Sequence, residues 1–110
     1  MAISNNTRAL LAKRLHAHRL ERWPALTELS LRYRGDFVYL TTTSIMAGET
    51  MPLCRLTYRG HVDFWGFAMY LASSDNYENS VLHNGRPTGT PEQALDCACG
   101  LYLGDPTAWI

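Results

Sequence analysis

Alternating apolar and polar residues predict a β-hairpin in the second quarter of the chain. From position 28 to 34, Leu29, Leu31 and Tyr33 alternate with polar residues, which is typical of a strand with one buried face. Residues 37 to 42 follow a Gly35-Asp36 turn and are rich in aromatic and β-branched residues, which favour strands. The pattern therefore predicts two strands joined by a tight turn.

Two further strands are predicted after this hairpin. Residues 53 to 58 place Cys54, Leu56 and Tyr58 on one face, whereas residues 64 to 71 are apolar on both faces, which indicates a central strand. Residues 73 to 89 are rich in Ser, Asn, Asp, Gly and Pro. We expect a long loop there, in which only Val81 and Leu82 can form a short edge strand.

Helices are predicted at both ends of the chain. Residues 8 to 22 contain no Gly, Pro or β-branched residue and follow residues whose side-chain oxygens can cap a helix, so a helix is expected from about Thr7 to Arg22. Trp23-Pro24 should end it. Thr90, Pro91 and Gln93 form a capping box that predicts the start of an apolar second helix, and Gly104 is expected to end it.

These elements combine into an α+β domain that covers residues 1–110. We expect an N-terminal helix, a four- to five-stranded antiparallel meander and a C-terminal helix packed on one face of the sheet. A chain of 110 residues is long enough for one hydrophobic core. Trp109 is expected to fold back on the sheet.

Composition excludes several classes of protein. Hydrophobic residues make up 46% of the chain and charged residues 18%, which excludes intrinsic disorder. No uncharged apolar run is long enough to span a membrane, and no targeting signal is recognisable, so we expect a cytoplasmic protein with no membrane partner. The three cysteines are an odd number, and disulfides are not expected.

Charge is distributed unevenly along the chain although its formal sum is zero. Residues 1 to 35 contain seven Lys and Arg against two Glu, and the remaining residues contain three Arg against eight Asp and Glu. The basic first third could bind phosphates. It could equally bind the acidic remainder of its own chain or of a second copy.

Catalytic and metal-binding motifs are not evident. Cys97 and Cys99 lie two positions apart, so on a helix they point about 200° away from each other and cannot share an ion. Cys54, His61 and His83 lack the spacing of a zinc site. We therefore expect no metal, no cofactor and no enzymatic activity; an enzyme acting on a small molecule, with a pocket beside these three residues, is the least favoured alternative.

Asp96 is the main charged position of the apolar second helix. An isolated carboxylate in such a run either faces water or needs a basic partner. We expect Asp96 to be exposed, and the alternative is an ion pair with a basic residue of the first helix.

The favoured function is a non-catalytic binding module that associates with DNA or RNA. Arginine forks bind phosphate and aromatic rings offer stacking surfaces, and the basic first helix and one sheet face supply both. A homodimer or a module that binds a protein partner is the alternative. The candidate contacts for nucleic acid or a partner are Arg8, Lys13, Arg14, Arg19, Arg32, Arg34, Arg55, Tyr39 and Tyr70.

Short runs in the second half of the chain resemble known families. Roughly residues 55 to 103 resemble ethylene-response-factor-like and integrase-arm DNA-binding domains, through Tyr58-Arg59-Gly60, Trp65-Gly66-Phe67-Ala68 and Thr90-Pro91-Glu92-Gln93-Ala94-Leu95. This resemblance implies a three-stranded sheet that reads DNA and precedes a helix. Residues 89 to 95, following the strands, also resemble HicB-type antitoxin domains, which implies a small dimeric sheet that covers a partner. The whole chain resembles short actinobacterial proteins of unknown function, which implies no activity.

Overall fold

The computed structural model describes residues 3–24, 28–43, 50–71, 73–82 and 85–103, with the backbone alone for 101–103. Two helices flank a series of strands along the chain. The elements are α1 (Asn5–Arg22), β1 (Leu29–Arg34), β2 (Phe37–Thr43), β3 (Thr50–His61), β4 (Phe64–Leu71), β5 (Asn76–Ser80), β6 (Thr88–Gly89) and α2 (Pro91–Leu103). The predicted α+β class, with a helix at each end of an antiparallel sheet, is confirmed.

The sheet is an antiparallel meander in the order β1-β2-β3-β4-β5, and the two-residue β6 also pairs with β4. The β1–β2 hairpin pairs Arg34 with Phe37 across a two-residue turn. Gly35 adopts a φ of 59° in this turn, a conformation that glycine reaches without steric cost. The predicted central position of β4, between β3 and the β5–β6 edge, is confirmed.

The segment after β4 differs from its prediction. The sequence placed a short edge strand at Val81 and Leu82, but the strand β5 is formed by the polar residues Asn76–Ser80. All five residues of β5 pair with β4, from Phe67 opposite Ser80 to Leu71 opposite Asn76. This backbone pairing with a central strand outweighs the low strand propensity of Asn, Glu and Ser.

Both helices begin where their capping residues predict. Ser4 caps α1, since its Oγ accepts a hydrogen bond from the Thr7 amide, and Trp23 ends this helix. At the start of α2, the amide of Thr90 donates to Gln93 Oε1, and the amide of Gln93 donates to Thr90 Oγ1. The capping box is thus confirmed, whereas Gly104 and Trp109 lie outside the described residues.

The hydrophobic core lies between the helices and one face of the sheet. Leu11 and Leu15 of α1 and Leu95 of α2 are fully buried and belong to one cluster with the strands. The paired strand residues of the cluster, such as Leu40 and Leu56, lie on the helix-facing side of the sheet, and Leu53 lies at a β-bulge opposite Leu40 and Thr41. Neither of the described helices is long and apolar enough to cross a membrane.

Candidate functional site

The sheet face that points away from the helices, here called the open face, carries arginine and aromatic residues. Strand alternation and the observed pairing place them on one side. None of the described strand positions on this face is acidic. The residues of the open face that bear on binding are Ser30, Arg32, Arg34, Phe37, Tyr39, Thr41, Arg55, Thr57, Arg59, Gly66, Ala68, Tyr70, Tyr77 and Asn79.

One row of residues crosses the open face from edge to edge. Arg32 pairs with Tyr39, Tyr39 with Arg55, Arg55 with Ala68, and Ala68 with Asn79. Directly opposed side chains on the same face of a sheet lie close enough to contact one another. Two of the predicted arginines and one predicted tyrosine are therefore brought together by strand register.

Aromatic rings form a connected chain over this row. The ring centroids of Phe37 and Tyr39 lie 6.3 Å apart, those of Tyr39 and Tyr77 5.3 Å apart, and those of Tyr77 and Tyr70 5.4 Å apart. The hydroxyl of Tyr70 also donates a hydrogen bond to Asp75 beside the sheet edge. The four half-buried rings thus form a continuous aromatic surface with exposed portions.

Arginine side chains lie against these rings. The Arg55 guanidinium carbon is 4.5 Å from the centre of the Phe37 ring and 5.7 Å from that of Tyr77. Arg55 Nη2 donates to Asn79 Oδ1 at 3.2 Å, but its buried Nε has no hydrogen-bond partner among the described residues. Arg32 lies 5.2 Å from the Tyr39 ring centre. The rings hold both cations by cation–π contact, and no described carboxylate neutralises Arg55.

The basic residues of α1 lie on the opposite side of the sheet. Arg8 stacks on the ring of Tyr33, at 4.7 Å, and Tyr33 belongs to the helix-facing side. Lys13 is exposed on α1, and Arg19 is half-buried there. The nine predicted contacts are therefore divided into a helix group and a sheet group, which do not share a surface.

Arg14, one of the predicted contacts, is bound by acidic residues of the same chain. Its Nε and Nη2 donate to the two carboxylate oxygens of Glu92 at 2.8 and 2.7 Å, and its Nη1 donates to Asp63 at 2.7 Å. Hydrogen bonding to Glu92, opposed by desolvation and reinforced by Asp63, raises the pKa of Arg14. This bidentate pair joins α1 to α2 and to the β3–β4 turn, so Arg14 has a structural role in the fold.

Asp96 is half-buried where α2 packs against α1, which corrects the expectation that it is exposed. Its side chain is 14% exposed and accepts hydrogen bonds from His18 Nε2 at 2.7 Å and from Trp23 Nε1 at 2.9 Å. Arg22 Nε lies 3.6 Å away. The alternative prediction, an ion pair with the first helix, is confirmed. The uneven charge along the chain therefore serves in part to join its two ends.

These contacts shift the pKa values of His18 and Asp96. The hydrogen bond to Asp96 raises the pKa of His18 above its usual value of 6.5, although desolvation opposes this. Desolvation alone would raise the pKa of Asp96, but the hydrogen bonds from His18 and Trp23 lower it below 3.8. Because both shifts favour the charged forms, the geometry describes a stabilised histidinium–carboxylate pair.

The cysteines have the surroundings of unreactive core residues. Cys54, Cys97 and Cys99 are buried thiols. Burial raises the pKa of Cys54 well above its usual value and that of Cys99 to about 12, so neither forms a thiolate at neutral pH. No group of three potential metal-ligating side chains is clustered among the described residues, and His83 lies outside them.

A cleft lies away from these cysteines, at the start of α2. It encloses about 470 Å³ and is lined by residues that include Phe64, Arg86, Thr88 and Gln93. Neither Cys54 nor His61 lines it. The pocket that a small-molecule enzyme would need beside Cys54 and His61 therefore does not coincide with this cleft.

Among the open-face residues absent from the sequence-based set are four whose side chains make contacts on this face. Phe37 and Tyr77 take part in the ring chain, Asn79 contacts Arg55, and the Arg59 side chain lies over Gly66. Alternation along β2 could have identified Phe37, which lies two residues before Tyr39. Tyr77 and Asn79 carried no such signal because their segment was expected to be a loop.

The chain matches no known family model, no curated protein and no solved structure.

Proposed function

We propose that this protein is a non-catalytic nucleic-acid-binding module whose binding surface is the open face of the sheet. The observation that carries the proposal is the combination of arginine and aromatic side chains on that face with no acidic residue at its described strand positions. Guanidinium groups bind phosphate oxygens, and aromatic rings offer stacking area to bases. A polyanion with planar groups is the ligand that this chemistry complements.

The sheet supports the proposal better than α1 does. On α1, Arg14 is bound by Glu92 and Asp63, and Arg22 lies near Asp96. On the open face, Arg32 and Arg55 are held by rings, and no carboxylate of the described residues forms an ion pair with either. The sheet arginines therefore offer more electrostatic attraction per side chain to a phosphate backbone than the arginines of α1 that already form ion pairs.

Self-association through the open face is the weaker candidate. Arginine and tyrosine are common in protein interfaces, but a symmetric dimer would bring the same surface patch together with itself. Two arginine-rich patches whose described strand positions include no acidic residue would repel each other. A dimer through this face would need compensating carboxylates, which the described strands do not supply on this side.

Salt-dependent binding tests the proposal. A fluorescently labelled oligonucleotide of mixed sequence is titrated with the protein, and fluorescence anisotropy gives the dissociation constant at several salt concentrations between roughly 50 and 200 mM. We expect affinity to fall steeply with added salt, because bound arginines displace counterions. Absent binding at low salt, or affinity that does not change with salt, would refute the proposal.

A matched pair of variants locates the binding surface. Arg34 and Lys13 are both exposed and each carries one positive charge, but Arg34 belongs to the open face and Lys13 to α1. We expect Arg34→Ala to make the slope of log affinity against log salt less negative by about 0.7 to 0.9. Lys13→Ala should leave the slope unchanged, and the reverse pattern would place binding on α1.

A further inference from the structure

The central strand of the open face, β4, carries small residues on that face. Gly66 and Ala68 of β4 are both buried, and Ala68 is only 1% exposed. A Cβ atom added to Gly66 would lie 3.3 Å from Arg59 Nε and 3.3 Å from Thr57 Cβ. Side chains of neighbouring strands therefore cover β4, which its own small residues allow.

The rings of Tyr39 and Tyr77 contact each other above these small residues. Tyr39 belongs to β2 and Tyr77 to β5, with β3 and β4 between them. Three strand spacings amount to about 14 Å, yet the two ring centroids lie 5.3 Å apart. Both side chains must therefore extend along the sheet surface, because side chains that stood upright on strands so far apart could not touch.

Arginine side chains are also held close to this surface. The guanidinium of Arg55 lies 4.5 Å from the Phe37 ring centre, and that of Arg32 lies 5.2 Å from the Tyr39 ring centre. A duplex is read by side chains that enter its major groove, which is about 8.5 Å deep. Side chains that lie along a sheet are poorly placed for this, whereas unpaired bases can be laid directly on rings and guanidinium planes.

We propose that the ligand of the open face is single-stranded nucleic acid, whose unpaired bases stack on Tyr39 and Tyr77 while the face arginines contact its phosphates. This inference rests on the proposed nucleic-acid-binding function and specifies the form of the ligand. Charge complementarity argues for a polyanion. The connected rings are inclined to one another by 57° to 65°, and unpaired bases, unlike the stacked bases of a duplex, can each be oriented to stack on a separate ring. Base stacking on aromatic rings tolerates any sequence, so single-stranded DNA and RNA share the required chemistry.

The first experiment uses the unmodified protein. Anisotropy titrations at one low salt concentration compare a single-stranded DNA 12-mer, the RNA 12-mer of the same sequence, and the blunt DNA duplex that contains it. We expect both single strands to bind at least tenfold more tightly than the duplex. If the duplex binds as tightly as the single strands, the inference is wrong and the proposed function stands. If none of the three binds, the proposed function itself is wrong.

The second experiment removes the aromatic ring at position 77 but keeps an apolar side chain there. Tyr77→Leu makes this change, and Tyr77→Phe removes only the hydroxyl. Since stacking of one base accounts for about a 5- to 150-fold difference in affinity, we expect Tyr77→Leu to weaken single-strand binding by at least fivefold and Tyr77→Phe by less than twofold. Circular dichroism confirms that each variant is folded, and Tyr39→Leu with Tyr39→Phe provides an independent pair. Unchanged affinity in folded variants of both tyrosines would overturn the inference.

Discussion

Replacement of Asp96 by alanine is expected to destabilise the protein strongly and in a pH-dependent manner. Asp96 accepts hydrogen bonds from His18 and Trp23 across the contact between α1 and α2. Hydrogen bonds that involve a charged group contribute about 1.5 to 3 kcal/mol each. Because His18 and Asp96 keep some contact with water, we take the lower end for both bonds. The expected loss is about 3 kcal/mol, or roughly 12 °C in melting temperature for a domain of this size.

The pH dependence follows from the two shifted pKa values. The pKa of His18 is raised in the folded state, so its contribution to stability is full below about pH 6.5 and is lost as the pH rises through the folded value. The pKa of Asp96 is lowered, so its contribution is full above pH 3.8 and is lost as the pH falls through its folded value. The difference in stability between the native protein and Asp96→Ala should therefore be largest near pH 5.

Urea denaturation followed by circular dichroism measures this difference at pH 5.5 and at pH 8.5. Asp96→Asn is the matched control, since it keeps an acceptor for Trp23 and removes only the charge. It should lose less stability than the alanine variant, and its loss should depend on pH in the same direction. A loss below about 0.5 kcal/mol for Asp96→Ala, or a loss that grows from pH 5.5 to pH 8.5, would refute the reasoning.

Three other predictions concern the fold. Arg14→Ala leaves Glu92 without its bidentate partner and should lower the free energy of unfolding by about 2 to 3 kcal/mol in urea titrations. Oligonucleotide binding should not weaken. A loss of binding in the folded variant would show that Arg14 contacts the oligonucleotide. The thiols of Cys54 and Cys99 should react with a thiol reagent only after denaturation, because burial keeps them protonated, and rapid reaction of the native protein would contradict this. Gly89→Ala would place a Cβ atom against Leu82 Cδ1 and within 2.5 Å of Gln93 Oε1, and thermal melting should show a loss of about 1 to 3 kcal/mol. An unchanged melting temperature would show that the Leu82 and Gln93 side chains move without cost.

The sequence predicted the parts of the fold that depend on local patterns. Alternation identified β1 and its buried face, and the apolar character of both faces of residues 64 to 71 identified β4 as a central strand. The capping box of Thr90 and Gln93 identified the start of α2. β5 was missed because its residues, Asn76–Ser80, show no alternation of apolar and polar residues and, apart from Tyr77, have low strand propensity. Its conformation depends on pairing with β4, which is a tertiary effect that no local pattern contains.

Part of the candidate site could also be predicted from the sequence. Arg32, Arg55 and Tyr39 could be assigned to one face because strand alternation fixes where side chains point. The contact between Tyr39 and Tyr77 could not be predicted, since it requires both β5 and the strand order. The roles of Arg14 and Asp96 likewise depend on how the two helices pack, which composition and periodicity do not determine.

The central claim, that the open face binds nucleic acid, is tested most directly by mapping the bound surface in solution. Isotope-labelled protein is titrated with a single-stranded oligonucleotide, and chemical-shift changes are recorded for backbone amides and for the Nε groups of arginine. We expect the largest changes at Arg32, Tyr39, Arg55 and Tyr77, with little change at Lys13. Changes confined to α1 and α2, or no changes at a saturating oligonucleotide concentration, would contradict the claim.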